Sequence, residues 1–329
     1  MSPPPVRPLF VLGCPRSGTT LLQLMLHAHP RIALPPETRF VLPAYAERLR
    51  FGDLTRPDNR AALADWITRR KETRFHELGL DAGAVAGRIA TGPPTLGSAL
   101  GIALHAYAER HGKARWGDKR PAYALHVAEI LRLFPEAQFV HLVRDGRDCA
   151  ASLLGMPWWH RGFHEAVATW AQVMDVTAGF ARRLGPGSWY ELRYEDLLAD
   201  PEGQLRALCA YLGEEYAPEM TEPHRVAHGA VPARKTWHRR THGALDASRA
   251  GSWERRLSAE QIRLADAVLG ERLAARGYAP GGDARPGAGE LLRYRRVEAL
   301  RRAARAKRRL RDGVLRLREP GPVAFRPGV

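Results

Sequence analysis

Leu9-Phe10-Val11-Leu12-Gly13-Cys14-Pro15-Arg16-Ser17-Gly18-Thr19-Thr20-Leu21-Leu22 is the stretch that decides the fold. A short apolar run stopped by a Gly/Pro turn reads as a strand buried on both faces, the habit of parallel sheets. Helical periodicity takes over at Thr19, with Leu21, Leu22, Met25 and Leu26 on one side, and Pro30 stops it after His29. Gly13 and Gly18 have the spacing of a P-loop, whose backbone N–H groups and helix N-terminus cradle a phosphate. The consensus Gly-x-x-x-x-Gly-Lys-Ser/Thr has lysine where this chain has Thr19. Such a loop is poorly equipped for β- and γ-phosphates, whereas Arg16 inside it can reach a nucleotide's single 5′ group. Taken alone, a plain strand-to-helix turn reads the same residues about as well.

A second unit lies downstream. Phe139 to Val143 forms a strand, Arg144-Asp145-Gly146-Arg147-Asp148 a turn, and an Ala/Leu helix follows that carries Ser152. A third strand runs from Trp189 to Tyr194. Asp200-Pro201 caps a helix that reads to Leu212, and Ser258 to Gln261 is a capping box opening a helix that ends near Gly277. Alternating strands and helices predict an α/β, P-loop-type three-layer domain, with a central parallel sheet flanked by helices. Residues 51–115 are helix-biased without a clear strand and read as a helical insertion over the sheet. The expected organisation is a flexible lead over 1–8, a domain over 9–280 and a C-terminal basic helix within 281–329.

The 329 residues carry 51 Lys plus Arg against 35 Asp plus Glu, a formal +16, which points to a polyanionic ligand, nucleic acid or an anionic membrane surface. Composition, 45% hydrophobic and 26% charged, excludes collagen-like and wholly disordered chains. Half of the excess is local: residues 290–319 hold twelve Lys or Arg and four acids, a net +8. Leu291, Tyr294, Val297, Leu300, Ala304, Leu310 and Val314 recur every three or four residues there, so the tail reads as one amphipathic basic helix. It either packs on the body with a solvated basic face or touches a membrane surface or polyanion. Three cysteines, Cys14, Cys149 and Cys209, fit neither a disulfide framework nor a zinc cluster. With no signal-like N-terminus, a cytoplasmic protein is expected, peripheral at the inner membrane surface if the tail binds lipid. His238 and His242 have i, i+4 spacing but lack the glutamate of a zinc protease, and no metal is expected.

Covalent mechanisms fail on spacing. A Cys-x5-Arg phosphatase loop from Cys14 needs Arg at position 20, which is Thr20, and a nucleophile elbow around Ser17 needs Gly at position 15, which is Pro15. What the residues do resemble is the family of sulfotransferases that use 3′-phosphoadenosine 5′-phosphosulfate (PAPS). Pro15-Arg16-Ser17-Gly18-Thr19-Thr20 looks like that family's 5′-phosphosulfate loop, and Arg144 with Ser152, eight residues apart, like its 3′-phosphate motif. Thr19-Thr20-Leu21-Leu22, Ala28-His29-Pro30 and Glu37-Thr38-Arg39 are similar in order and spacing to the tyrosylprotein sulfotransferase branch and related bacterial enzymes. The resemblance covers about residues 8–278.

The resemblance implies roles. Glu37 would be the catalytic base; read plainly, it is a surface carboxylate paired with Arg39. Lys119, in Asp118-Lys119-Arg120-Pro121, would touch the leaving-group oxygen, in a segment that departs from the usual Lys-Asp-Pro order; read plainly, it is a solvated lysine. Arg16 would steady charge on the sulfuryl group. Tyr194 would contact the adenosine part, or be an ordinary buried strand-end tyrosine. Ser248 and Arg249, before Gly251-Ser252-Trp253, would belong to a loop closing over the nucleotide. Expected is sulfuryl transfer from PAPS as co-substrate, without metal, to a hydroxyl or amine of a small-molecule, carbohydrate, lipid or peptide acceptor. Nucleic acid is not an expected partner, and oligomeric state is open. The rival readings are a P-loop small-molecule kinase and a basic polyanion- or membrane-binding adaptor.

Overall fold

The computed structural model describes residues 7–226, 250–279, 281–282 and 285–326. Strand β1 (Leu9–Gly13) is followed by helix α1 (Thr19–Ala28), the short strand β2 (Ile32–Ala33), and helices α2 (Val41–Ala46), α3 (Pro57–Arg69), α4 (Ala82–Thr91) and α5 (Leu96–Arg110). Then come β3 (Arg115–Lys119), α6 (Val127–Leu133), β4 (Gln138–Val143), α7 (Gly146–Leu154), α8 (Phe163–Leu184), β5 (Trp189–Arg193), α9 (Tyr194–Ala199) and α10 (Pro201–Leu212). Helices α11 (Trp253–Arg256), α12 (Ala259–Ala274) and α13 (Ala288–Arg316) follow.

All strand pairs are parallel and the order is β2-β3-β1-β4-β5. The alternation of β1 explains why it is central. Phe10 and Leu12 point into one apolar layer and Leu9 and Val11 into the other, and all four are fully buried. Beneath Leu9 and Val11 lie Leu22, Met25 and Leu26 of α1 and Leu205, Leu208 and Leu212 of α10. The opposite layer is built from α3 to α8 and α12. From β1 the chain crosses to the edge strand β2 and returns to β3 on one side, then passes to β4 and outward to β5 on the other. The switch of direction falls between β1 and β4, and the crevice beyond their carboxyl ends is where open α/β sheets bind ligands.

Most expected elements are present, with differences at their ends. Helix α1 stops at Ala28, with His29 as its cap, and Tyr194 opens α9 instead of ending β5. The capping box at Ser258 and Gln261 is formed, although α12 ends at Ala274, short of Gly277. The helix-biased stretch 51–115 holds α3 to α5, and its last residue, Arg115, begins β3.

The reading of α13 as a single amphipathic stripe is corrected. Leu291, Tyr294 and Val297 turn toward the body, with Tyr294 buried, but Leu300, Leu310 and Val314 are exposed. A spacing of three and then four residues drifts around a helix of 3.6 residues per turn, so one list of apolar positions spans two faces. The inward face is pinned by Arg301 to Glu165 at 2.7 Å and Arg48 to Asp312 at 2.8 Å. Just beyond the helix, Glu319 takes both Arg48 and Arg132, at 2.5 and 2.6 Å. The chain then returns to the core. Gly97 N–H donates to the Val323 carbonyl and Phe325 N–H to that of Leu133, and the Phe325 ring packs on Trp116 and Phe134.

Candidate active site

The loop after β1 is shaped by two positive backbone angles. Gly18 has φ 97°, and a Cβ there would stand 2.5 Å from the Tyr194 ring, so only glycine lets the loop pass beneath that tyrosine. Arg16 has φ 74°, a conformation that costs a side chain about 1 to 2 kcal/mol. Contacts from the second unit hold it: Arg16 Nε donates to Ser152 Oγ at 3.1 Å, and Arg144 donates to the Arg16 carbonyl at 3.4 Å. Ser17 N–H turns back to the Cys14 carbonyl. Gly18, Thr19 and Thr20 set their backbone N–H groups at the start of α1, the positive end of the helix dipole. Ser17 Oγ is fully buried in this loop with no hydrogen-bond partner among the described residues. A buried hydroxyl of that kind fits a loop that receives an oxyanion.

The loop after β4 meets it across the switch point. Arg144 is 4% exposed, stacks on the Tyr194 ring with its guanidinium 4.7 Å from the centroid, and faces Asp148 at 3.3 Å. Ser152 completes the group from the second half of α7. Asp148 was not singled out by its sequence context. Its buried carboxylate also accepts from Gly251 N–H at 3.0 Å and Ser252 Oγ at 2.8 Å. Trp253, next along, lies under the Arg147 guanidinium at 3.9 Å. Residues 250–253 are thereby tied to the Arg144 turn. Ser248, Arg249, His238 and His242 lie outside the described residues.

The third contribution comes from β3. Val11 and Lys119 are paired across the sheet, which brings the lysine to the mouth of the β1 loop. Lys119 Nζ donates to Thr20 Oγ1 at 3.2 Å and lies 3.6 Å from Glu37 Oε2. A lysine thus reaches the start of α1 from the neighbouring strand. Lys119 is 2% exposed, so the solvated-lysine reading fails. Glu37 faces Lys119 and, at 3.9 Å, Arg120. Its segment is fixed by Thr38, whose hydroxyl donates to Asp118 at 2.6 Å. Tyr123 and the Lys119 N–H also bond Asp118. Burial pushes the Asp118 carboxyl up, and these three donors oppose the shift. Asp118 ties the Glu37 segment to β3 through Thr38, a link absent from the sequence reading because the two residues are 80 apart in the chain. Cys14 and Cys149 are buried behind the loop, and burial drives the Cys149 thiol well above its usual range, away from nucleophilic use.

Arg16, Ser17, Gly18, Thr19, Thr20, Lys119, Glu37, Arg144, Ser152 and Tyr194 therefore lie together at the carboxyl edge of β1, β3 and β4. A sequence profile described as the sulfotransferase family matches residues 8–218, which contain all ten. The chain belongs to the sulfotransferase family. It is 26% identical over 212 residues to protein-tyrosine sulfotransferase 2 of Gallus gallus, 62% of this chain and 50% of that protein. To the omega-hydroxy-beta-dihydromenaquinone-9 sulfotransferase Stf3 of Mycobacterium bovis it is 30% identical over 123 residues, 32% of this chain and 31% of that one. The chain thus spans half or less of the length of these two sulfotransferases. The sulfotransferase domain of the Synechococcus PCC 7002 olefin synthase superposes with a TM-score of 0.56 at 24% identity, covering 83% of this chain and 98% of that domain. The corresponding domain of the curacin biosynthetic pathway gives 0.57 at 21%, with the same coverage. Both share the fold of this sulfotransferase-family chain.

Proposed function

We propose that the chain transfers a sulfuryl group from PAPS to an acceptor hydroxyl or amine, directly and in line. The observation that carries the reading is the convergence of two cationic turns on one crevice, with Arg16 Nε 3.1 Å from Ser152 Oγ. A nucleotide carrying anionic groups at both its 5′ and 3′ positions matches two separate sites of donors. The β1 loop and Arg16 would hold the 5′ phosphosulfate, Arg144 and Ser152 the 3′-phosphate, and Tyr194 a face of the adenosine. Lys119 and Arg16 would balance charge growing on the bridging and sulfuryl oxygens, where positioning and preorganised charge supply the catalysis. Glu37 would take the acceptor proton, since attack on sulfur releases one.

A kinase reading is disfavoured by Thr19 at the P-loop lysine position and by Lys119 being paired with Glu37 instead of standing free for a γ-phosphate. The acceptor is a hydroxyl or amine compound; the named relatives act on protein tyrosine and on a hydroxylated menaquinone, so both peptides and lipids belong in the first screen. The test is sulfuryl transfer from radiolabelled PAPS to such a panel by wild type and Glu37→Gln. Loss of turnover by about two to four orders of magnitude with unchanged nucleotide affinity supports the base role. Full activity in the variant would remove Glu37 from the mechanism.

A further inference from the structure

Helix α13 has two working faces, and the body uses one. The inward face is fixed at several points along its length: His164 meets Glu290 at 2.9 Å, Arg301 meets Glu165, and Arg48 meets Asp312. These contacts set the rotation of the helix, so its outward face is presented in one orientation. On that face Leu292, Leu300, Leu310 and Val314, and at the C-cap Leu317, are between 58% and 89% exposed. At 3.6 residues per turn they fall within an arc of about 100°. Among the described residues the other large exposed apolar side chains are Leu154 and Trp158, so the face concentrates most of the exposed apolar surface. Five exposed aliphatics on one face are not the scattered pattern of an ordinary solvated helix.

Charge surrounds the stripe. Arg293, Arg311 and Arg318 run along one edge and Arg295, Arg302 and Arg309 along the other, all exposed. Arg296 and Lys307 sit among the leucines, with long stems that can lie along an apolar surface while the charge reaches outward. We infer that the outward face of α13 is a docking surface for an anionic lipid bilayer, on which the helix lies in the plane of the interface. Its 29 residues give a contact about 43 Å long. No described helix is long and apolar enough to cross a membrane, so the contact is peripheral.

The chemistry favours a bilayer over the alternatives. Nucleic acid would use the arginines and leave the leucines facing phosphate and water. A second copy would bring two strongly basic faces together, with like charges opposed along the seam. An anionic bilayer satisfies both parts, because leucines enter the acyl boundary while guanidinium groups meet lipid phosphates. The close contact of His164 with Glu290 places the start of α13 beside the loop over 155–162, which follows the helix carrying Ser152.

The test is flotation of the full chain with vesicles of phosphatidylcholine alone or mixed with phosphatidylglycerol, alongside sizing and duplex DNA binding. The variant combines Leu292→Gln, Leu300→Gln, Leu310→Gln, Val314→Gln and Leu317→Gln, all at exposed sites, with circular dichroism as the folding control. Expected is binding to the phosphatidylglycerol vesicles about tenfold or more tighter than to phosphatidylcholine, reduced about tenfold in the variant. Failure to bind the anionic vesicles overturns the inference, as does binding that the variant leaves unchanged. A wild-type dimer that the variant makes monomeric would assign the face to a second copy instead. None of these readouts depends on sulfuryl transfer.

Discussion

Arg16 Nε and Ser152 Oγ stand 3.1 Å apart although 136 residues separate them in the chain. The contact joins the turn after β1 to the helix after β4, so the two halves of the proposed nucleotide site are one hydrogen-bonded unit. Ser152→Ala removes a hydroxyl from both halves. It should weaken binding of 3′-phosphoadenosine 5′-phosphate by about 1.5 kcal/mol, roughly tenfold, since hydrogen bonds to charged groups lie at the strong end. Competition against a fluorescent nucleotide measures this, and unchanged affinity would detach Ser152 from the site.

Gly18→Ala should be among the most damaging small substitutions. The left-handed angle alone costs about 1 to 2 kcal/mol, and the added Cβ meets the Tyr194 ring at 2.5 Å. Urea unfolding should show a loss of at least about 2 kcal/mol. A second change, Tyr194→Leu, should return part of it; strictly additive losses would mean the ring does not crowd the loop.

The returning chain after α13 should contribute stability. Gly97 and Gly101 leave room for the Phe325 backbone and ring, which a Cβ at either glycine would strike at 2.4 to 2.5 Å. Phe325→Ala should therefore cost about 2 kcal/mol, less than a fully buried phenylalanine because the side chain is half-buried. Thermal denaturation at fixed pH checks it, and an unaltered Tm would show that the segment is not part of the folded unit.

Acid should destabilise the fold through His27. Burial, with Lys113 and His111 adding to it, lowers this imidazole to about 3 from the ordinary 6.5. The folded state keeps it neutral where the unfolded chain takes up a proton. Its contribution is therefore full above about pH 6.5 and is lost as pH falls toward 3, by up to about 1.4 kcal/mol per pH unit. The drop in Tm between pH 7.5 and 5 should be smaller in His27→Gln than in wild type, and equal drops would contradict the assignment.

How much of this was legible in the chain depends on the range of each interaction. β1, β4 and α10 announce themselves, because an apolar run between turn residues, or a capped helix, is local information. β2 has two residues, too few to show a pattern, and β3 reads Arg115-Trp116-Gly117-Asp118-Lys119, a polar sequence that is nevertheless wholly buried. Its charges are tolerated because partners reach them: Thr38 and Tyr123 for Asp118, Thr20 and Glu37 for Lys119. Those partners come from three other segments, and no single window contains them. The same holds for Asp148, which reads as one acid in a charged turn until Gly251 and Ser252 are seen to donate to it. In α13 the helix is legible but its two faces are not, because a helix docked on one side can carry a second apolar surface that a loose three-to-four spacing merges with the first.

The proposed nucleotide site would take phosphate-bearing groups at both the 5′ and 3′ positions of one ribose. Its most direct test is calorimetric titration of wild type and Arg144→Ala with 3′-phosphoadenosine 5′-phosphate, set beside 5′-AMP and Mg·ATP. Binding of the bisphosphate well above the other two, weakened by about 2 to 4 kcal/mol in the variant, is the predicted result. Preference for Mg·ATP, or bisphosphate affinity that Arg144→Ala leaves intact, would contradict it.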